Sequence, residues 1–169
     1  MTAAVDGLIP PGGEIARFAL PRLGGGVETL PDSAAKGLTL AIFYKNSCPT
    51  CRLTMPFMQR LHEQVTTGGG RVVAISQDGM EGSATFAVEL GLTMPILVDG
   101  TDYPVSRLYE LVAVPTIYLV ASTGRVARSA VGFSKTGLLA MAGDLAASIG
   151  VPAPILYHDG ETIPDFKPG

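Results

Sequence analysis

An α/β fold, a central mixed β-sheet flanked by helices, is predicted for this chain by three observations. Two continuously apolar, β-prone runs, residues 38–44 (LTLAIFY) and Arg71–Ser76 (RVVAIS), flank an amphipathic helical segment. That order makes a parallel βαβ unit with both strands buried on both faces. Two later β-prone runs, 117–120 and 125–130, are joined by the tight turn Ser122-Thr123-Gly124, which predicts an antiparallel hairpin. Apolar residues make up 47% of the 169 and charged residues 16%, enough to bury one core rather than leave a disordered chain.

The elements follow in order. Residues 1–15 are rich in Gly and Pro and are expected to be irregular. Residues 17–20 and Val27–Leu30 flank Gly24-Gly25-Gly26 and read as an N-terminal hairpin. Turns are expected at Pro31-Asp32-Ser33 and Lys36-Gly37. Residues 38–44 are the first buried strand. A helix over 52–65 carries Leu53, Phe57, Leu61 and Val65 at four-residue spacing. Pro56 should kink it, and Gly68-Gly69-Gly70 should end it. Strand Arg71–Ser76 leads into a loop over 77–82, then a short helix over 83–90 capped by Ser83 and ended by Gly91. A strand over 95–98 completes this helix-strand insert. A helix over 102–111 presents Val105, Leu108, Tyr109 and Val112 on one side. After the hairpin, Gly132-Phe133 leads to a last helix, Lys135–Ile149, with Leu138, Ala142, Leu145 and Ile149 facing inward. Four prolines in residues 150–169 predict a loosely structured tail.

The chemistry centres on Cys48-Pro49-Thr50-Cys51. These are the only two cysteines, and they fall where the first strand turns into its helix. The free N–H groups and the positive end of a helix dipole favour an anion at that place, here the Cys48 thiolate. Such placement lowers a thiol pKa from about 8.5 to roughly 3.5–7.5. Cys51, in the first turn, is within reach to resolve a mixed disulfide. A disulfide closing so small a loop would contribute little as a structural staple. The bland alternative, two inert core thiols, fits the strand-helix context poorly. A zinc site needs about four ligands, and only His62 and His158 remain to help, so neither metal nor cofactor is expected. A net charge of −3 without a basic run argues against nucleic acid. No apolar stretch is long enough to span a membrane. The start, MTAAVDGLIPPGGEIARF, shows no secretory pattern, so a cytoplasmic location is expected, or an extracytoplasmic one if a leader has been removed.

Strand, Cys-x-x-Cys, Pro-containing helix, strand, helix, then Val114-Pro115-Thr116 before a hairpin and closing helix resembles the thioredoxin superfamily. The N-terminal hairpin and the insert over 83–98 are similar to its extended branch, which holds the TlpA/ResA-type thiol-disulfide oxidoreductases and the peroxiredoxins (AhpC/TSA-related redoxins). Cys48-Pro49-Thr50-Cys51-Arg52 with Met55-Pro56 is similar to the dithiol helix of the TlpA-like group. The resemblance covers roughly residues 16–149, leaving 1–15 and 150–169 as flanking segments. It implies a three-layer thioredoxin-like fold and a protein-disulfide oxidoreductase, with Cys48 as nucleophile and Cys51 as resolving thiol. Pro115 would be cis, and Val114, Pro115 and Thr116 would hold a substrate peptide in strand fashion. Lys45, Pro49 and Thr50 would tune the site. The implied partners are a protein disulfide or dithiol and an electron-donor thiol protein, with the chain a monomer or weak homodimer.

Two departures stand out. Ser47 replaces the tryptophan that many relatives carry before the first cysteine. Ile42 occupies the place of thioredoxin's buried acid, so the Cys51 proton would need another acceptor; Lys45, Asp78 and Glu81 are candidates. A second reading is a peroxiredoxin-like peroxidase with Cys51 as the attacking sulfur and Arg125 or Arg128 as its arginine. Cys48 then stands where that family has threonine. A third is a non-catalytic module that docks proteins or carries a metal.

Overall fold

Strand β3 (Thr39–Tyr44) is buried at all six positions, which places it at the centre of the sheet. In the computed structural model, which describes residues 7–169, it pairs in parallel with β4 (Arg71–Ser76) and antiparallel with β6 (Thr116–Val120). Strand β5 (Ile96–Val98) extends the sheet beside β4, and β7 (Val126–Val131) beside β6, giving the order β5-β4-β3-β6-β7. The predicted mixed sheet is therefore present, with its parallel half and its antiparallel half meeting at β3. The part of the expected irregular start that falls on residues 1–6 lies outside the described residues.

Side-chain alternation along β3 assigns the two faces. Leu40, Ile42 and Tyr44 join a cluster with Met55, Met58 and Leu61 of α1 (Pro49–Val65) and Leu145 and Ile149 of α4 (Lys135–Ile149). Phe86 of α2 (Met80–Leu90) stacks on Tyr44 at 5.3 Å. Ala41 and Phe43 point the other way, toward the hairpin of β1 (Phe18–Pro21) and β2 (Val27–Leu30) and toward α3 (Pro104–Leu108). Phe18, Phe43 and Tyr118 surround the Tyr109 ring there, with centroids 5.6–6.1 Å away. Helices cover one face of the sheet; the other is covered mostly by the hairpin and one short helix.

Three elements differ from expectation. Helix α2 starts at Met80 with Gly79 at its N-cap, so Ser83 is no cap. It is buried inside the helix, and its Oγ lies 2.8 Å from both the Gly79 carbonyl and the Ser76 hydroxyl, which ties α2 to β4. Helix α3 is shorter than the predicted 102–111. It is bracketed by Tyr103 and Glu110, both with positive φ, and fixed by the Asp99 carboxylate, which accepts from the Val105 and Ser106 amides. Val105 and Tyr109, four apart, are buried as predicted; Leu108, on the outer side of α3, and Val112, beyond its end, are 58% and 61% exposed. Helix α1 contains Pro56 in its interior, as expected, and continues past it to Val65.

The tail is the third difference. Prolines deny it regular structure, yet it packs on α1 and ends in a strand. Arg60 holds Glu161 through two bonds of 2.7 and 2.8 Å and also donates to the Leu156 carbonyl. Gln64 exchanges two hydrogen bonds with the Ile155 backbone. Leu156 is 1% exposed, and Tyr157 meets Phe57 edge-to-face at 5.2 Å. Beyond it, β9 (Phe166–Lys167) pairs antiparallel with β8 (Phe133–Ser134), just ahead of α4. If the tail is a folded part of the domain, Leu156→Ala should lower the unfolding free energy by about 2–5 kcal/mol in urea titration, the range for emptying a buried leucine site. A loosely attached tail would leave the midpoint unchanged.

Candidate active site

Strand β3 ends at Tyr44, and three residues separate it from Cys48, the cap of α1. Pro49 is pre-set for the first helical position and has no N–H to satisfy. Cys48 precedes it with extended backbone angles (φ −82°, ψ 116°), as an N-cap residue requires. Its sulfur does the capping: the Cys51 amide donates to Cys48 Sγ over 3.2 Å. The Cys48 amide in turn donates to the Lys45 carbonyl at 3.1 Å, closing the turn before the helix. The two cysteines are both thiols here, and their environments differ. Cys48 is half-buried; Cys51 is fully buried. Burial pushes the Cys51 thiol far above its ordinary pKa, and the adjacent Cys48 sulfur and the Asp78 charge push it the same way.

Across from the dithiol, the Val114–Pro115 peptide bond is cis, as the resemblance implied. Pro115 is buried, and the Val114 carbonyl accepts a hydrogen bond from Cys48 Sγ at 3.3 Å. Thr116 is buried and turned inward, its hydroxyl donating to the Ala113 carbonyl at 2.7 Å. The structure thus brings Cys48, Cys51, Val114 and Pro115 together, with Thr116 fastening the loop. Val114 also lines a groove of about 200 Å³ with Gln77, Tyr103, Leu111, Val112 and Ala113.

The other sequence-derived candidates separate. Lys45 is exposed, and its backbone carbonyl is what braces the Cys48 turn. Pro49 is exposed beside the sulfur; Thr50 is 3% exposed, and its hydroxyl donates to the Pro168 carbonyl at 2.6 Å. Asp78 accepts from the Asn46 amide at 2.8 Å, so the loop after β4 is locked to the loop after β3. Glu81 is exposed at the start of α2, on a cleft it shares with Asn46, Arg52 and Glu89. Arg125 stands beyond the β6–β7 turn, at the opposite end of β6 from Thr116, and Arg128 is paired with Asp144 at 2.5 Å. Neither arginine joins the dithiol. Ile42 is fully buried among apolar neighbours, and no acid replaces it inside that cluster. Among the described residues, no three His, Cys, Asp or Glu side chains converge as a metal site.

Tyr44, at the end of β3, packs on Phe86, and burial pushes its pKa up to about 12. Sequence reasoning missed one neighbour of the site. Pro168 and Gly169 reach the site from the far end of the chain. A β-carbon built on Gly169 would lie 2.7 Å from the Val114 carbonyl oxygen. The glycine following Phe166-Lys167-Pro168 was the one available signal, and without the fold it had no address.

The asymmetry of the pair predicts its reactivity. Iodoacetamide should modify Cys48 in the reduced protein and spare Cys51 through about pH 9, because a raised pKa keeps Cys51 a neutral thiol until well into the alkaline range. Peptide mass mapping would show a single adduct; equal labelling of both would contradict the burial.

The sequence model of the AhpC/TSA family matches residues 11–129. Thiol-disulfide oxidoreductase ResA of Oceanobacillus iheyensis is 34% identical over 98 residues, covering 57% of this chain and 50% of that protein. ResA of Geobacillus kaustophilus is 32% identical over 110 residues, covering 64% of this chain and 62% of that one. The matched stretch therefore spans about half to two thirds of these relatives' lengths. Among solved structures, one from Chlorobium tepidum, provisionally assigned as a thiol:disulfide interchange protein DsbE, superposes with a TM-score of 0.73 at 25% identity, over 84% of this chain and 99% of its own. Peroxidoxin BcpB of Mycobacterium tuberculosis shares the fold at a TM-score of 0.63 and 18% identity, over 84% of this chain and 95% of its own. With the β-hairpin, the insert and the helix-capping dithiol in place, this chain belongs to the AhpC/TSA family, as a ResA-like redoxin of the thioredoxin superfamily.

Proposed function

We propose that this protein is a thiol-disulfide oxidoreductase acting on protein disulfides. The observation that carries the reading is the Cys48 sulfur, accessible at the head of α1 and accepting the Cys51 amide, with its partner thiol sealed behind it. Cys48, whose sulfur faces the helix N-terminus and receives the Cys51 N–H, attacks one sulfur of the substrate disulfide as its thiolate. A Cys48–substrate disulfide forms, and the substrate's other sulfur leaves as a thiolate and takes a proton. Cys51 then loses its proton and attacks Cys48 Sγ. The substrate's second sulfur leaves, and Cys48–Cys51 remains as a disulfide, two electrons having passed to the substrate. A dithiol protein returns the pair to its reduced form. The cis-Pro loop supports substrate holding: the Val114 backbone faces the sulfur, and Pro115 presents no N–H to compete with it. The adjoining groove has room for a substrate side chain.

The peroxidase reading is weaker on the same geometry. It needs Cys51 to meet peroxide, and Cys51 is fully buried with its thiol held protonated. The arginines it would use are elsewhere.

Reduction of insulin disulfides by dithiothreitol should be accelerated by the wild-type chain. Cys48→Ser should abolish the acceleration, and Cys51→Ser should accumulate a covalent complex with substrate, visible on a non-reducing gel. Wild-type turbidity curves no faster than those of Cys48→Ser would refute the reading.

A further inference from the structure

Residues 165–169 lie where a substrate peptide is expected to dock. The Lys135 amide donates to the Asp165 carbonyl at 2.9 Å, Phe166 pairs with Ser134, and Lys167 pairs with Phe133. The Pro168 carbonyl then accepts from Thr50 in the Cys-x-x-Cys turn. Gly169 lies against the Val114 carbonyl, the same oxygen that Cys48 Sγ contacts. An extended backbone thus runs along β8 and finishes beside the nucleophile. Two glycines permit the approach. Gly132 has φ +79°, and a β-carbon on it would meet the Lys167 carbonyl at 2.7 Å; Gly169 has no room for one against Val114. The strap is anchored upstream by Arg60–Glu161 and Leu156, and its own side chains, Phe166 included, are largely exposed. It is held at the site by backbone contacts, the kind an incoming strand can take over.

We propose that residues 165–169 are a built-in competitor for the peptide-docking site, and that the cognate substrate is an extended segment of a disulfide-bearing protein that replaces them along β8 and Val114. This rests on the oxidoreductase reading of the site. A chain whose docking edge is covered by its own strap binds substrate with an affinity reduced by the fraction of time that edge is open. A small disulfide that needs only the Cys48 sulfur escapes this competition.

The test uses the chain ending at Pro164, which keeps the Arg60–Glu161 and Leu156 anchors, and the full chain carrying Gly169→Val, which cannot seat its last residue against Val114. The KM for insulin should fall at least about five-fold in both relative to wild type, with the rate on a small aromatic disulfide unchanged. Calorimetry supplies a readout free of turnover: the peptide ETIPDFKPG should bind the truncated chain and bind the full chain at least about five-fold more weakly. Unchanged insulin KM in both variants, or no peptide binding by a truncated chain that still melts cooperatively, overturns the proposal. Should the truncated chain fail to fold, the Gly169→Val KM decides alone. Loss of insulin reduction by wild type would sink the oxidoreductase reading, while peptide binding would still report on the strap.

Discussion

One sulfur atom is shared by two structural elements, and the site depends on that sharing. Cys48 Sγ accepts the Cys51 amide at the start of α1 and touches the Val114 carbonyl of the cis-Pro loop. The first contact requires β3 to end at the helix N-terminus; the second requires β6 to begin directly opposite. The first is local to the helix cap, and the second follows from the β3–β6 register, in which Phe43 pairs with Thr116. A slip of one residue there would turn Ile42 and Leu40 out of their cluster and carry Pro115 off the dithiol together. Packing of the sheet core and placement of the chemistry are therefore set by one register.

That register leaves the Val114 backbone and the edge at β8 available to an extended chain. In this molecule the available edge is occupied from within. The tail reaches it by crossing α1, where Arg60, Gln64 and Phe57 hold its middle, so the strap is coupled to the helix that carries the dithiol. The same helix presents Cys48 at one end and anchors the tail along its flank. Thr50 links the two roles, since it sits between the cysteines and bonds to the strap.

Most of the sheet and the dithiol were legible in the sequence because their signals are local. Continuous apolar runs marked β3, β4 and β6, four-residue spacing marked α1, and three-to-four-residue spacing marked α4. Two cysteines at a strand-to-helix junction marked the site. What was illegible is non-local or depends on context. Thr50 finds its partner 118 residues away. Ser83 has the composition of a cap but lies one turn inside α2, because Gly79 already supplies the extended residue that starts the helix. Leu108 and Val112 fit an amphipathic pattern that the short α3 never completes. The tail's prolines signalled irregular backbone correctly, but irregular backbone can still bury Leu156 and add a strand.

The buried thiol explains why the two steps of exchange would not run together. Ile42 fills the place in β3 where the resemblance to thioredoxin implied an acid, and its neighbours in the cluster are apolar. Burial, the Cys48 sulfur and the Asp78 charge all disfavour the Cys51 thiolate while the dithiol is reduced and uncharged substrate is absent. Converting Cys48 into a mixed disulfide removes one of those three influences, since a disulfide sulfur carries no negative charge. Burial and the Asp78 charge remain, and a substrate that took the strap's place would rearrange what covers Thr50 and the cysteines beside it. On the oxidoreductase reading proposed above, attack by Cys51 therefore waits for the mixed disulfide, and the reduced pair closes only as a substrate disulfide takes up its two electrons.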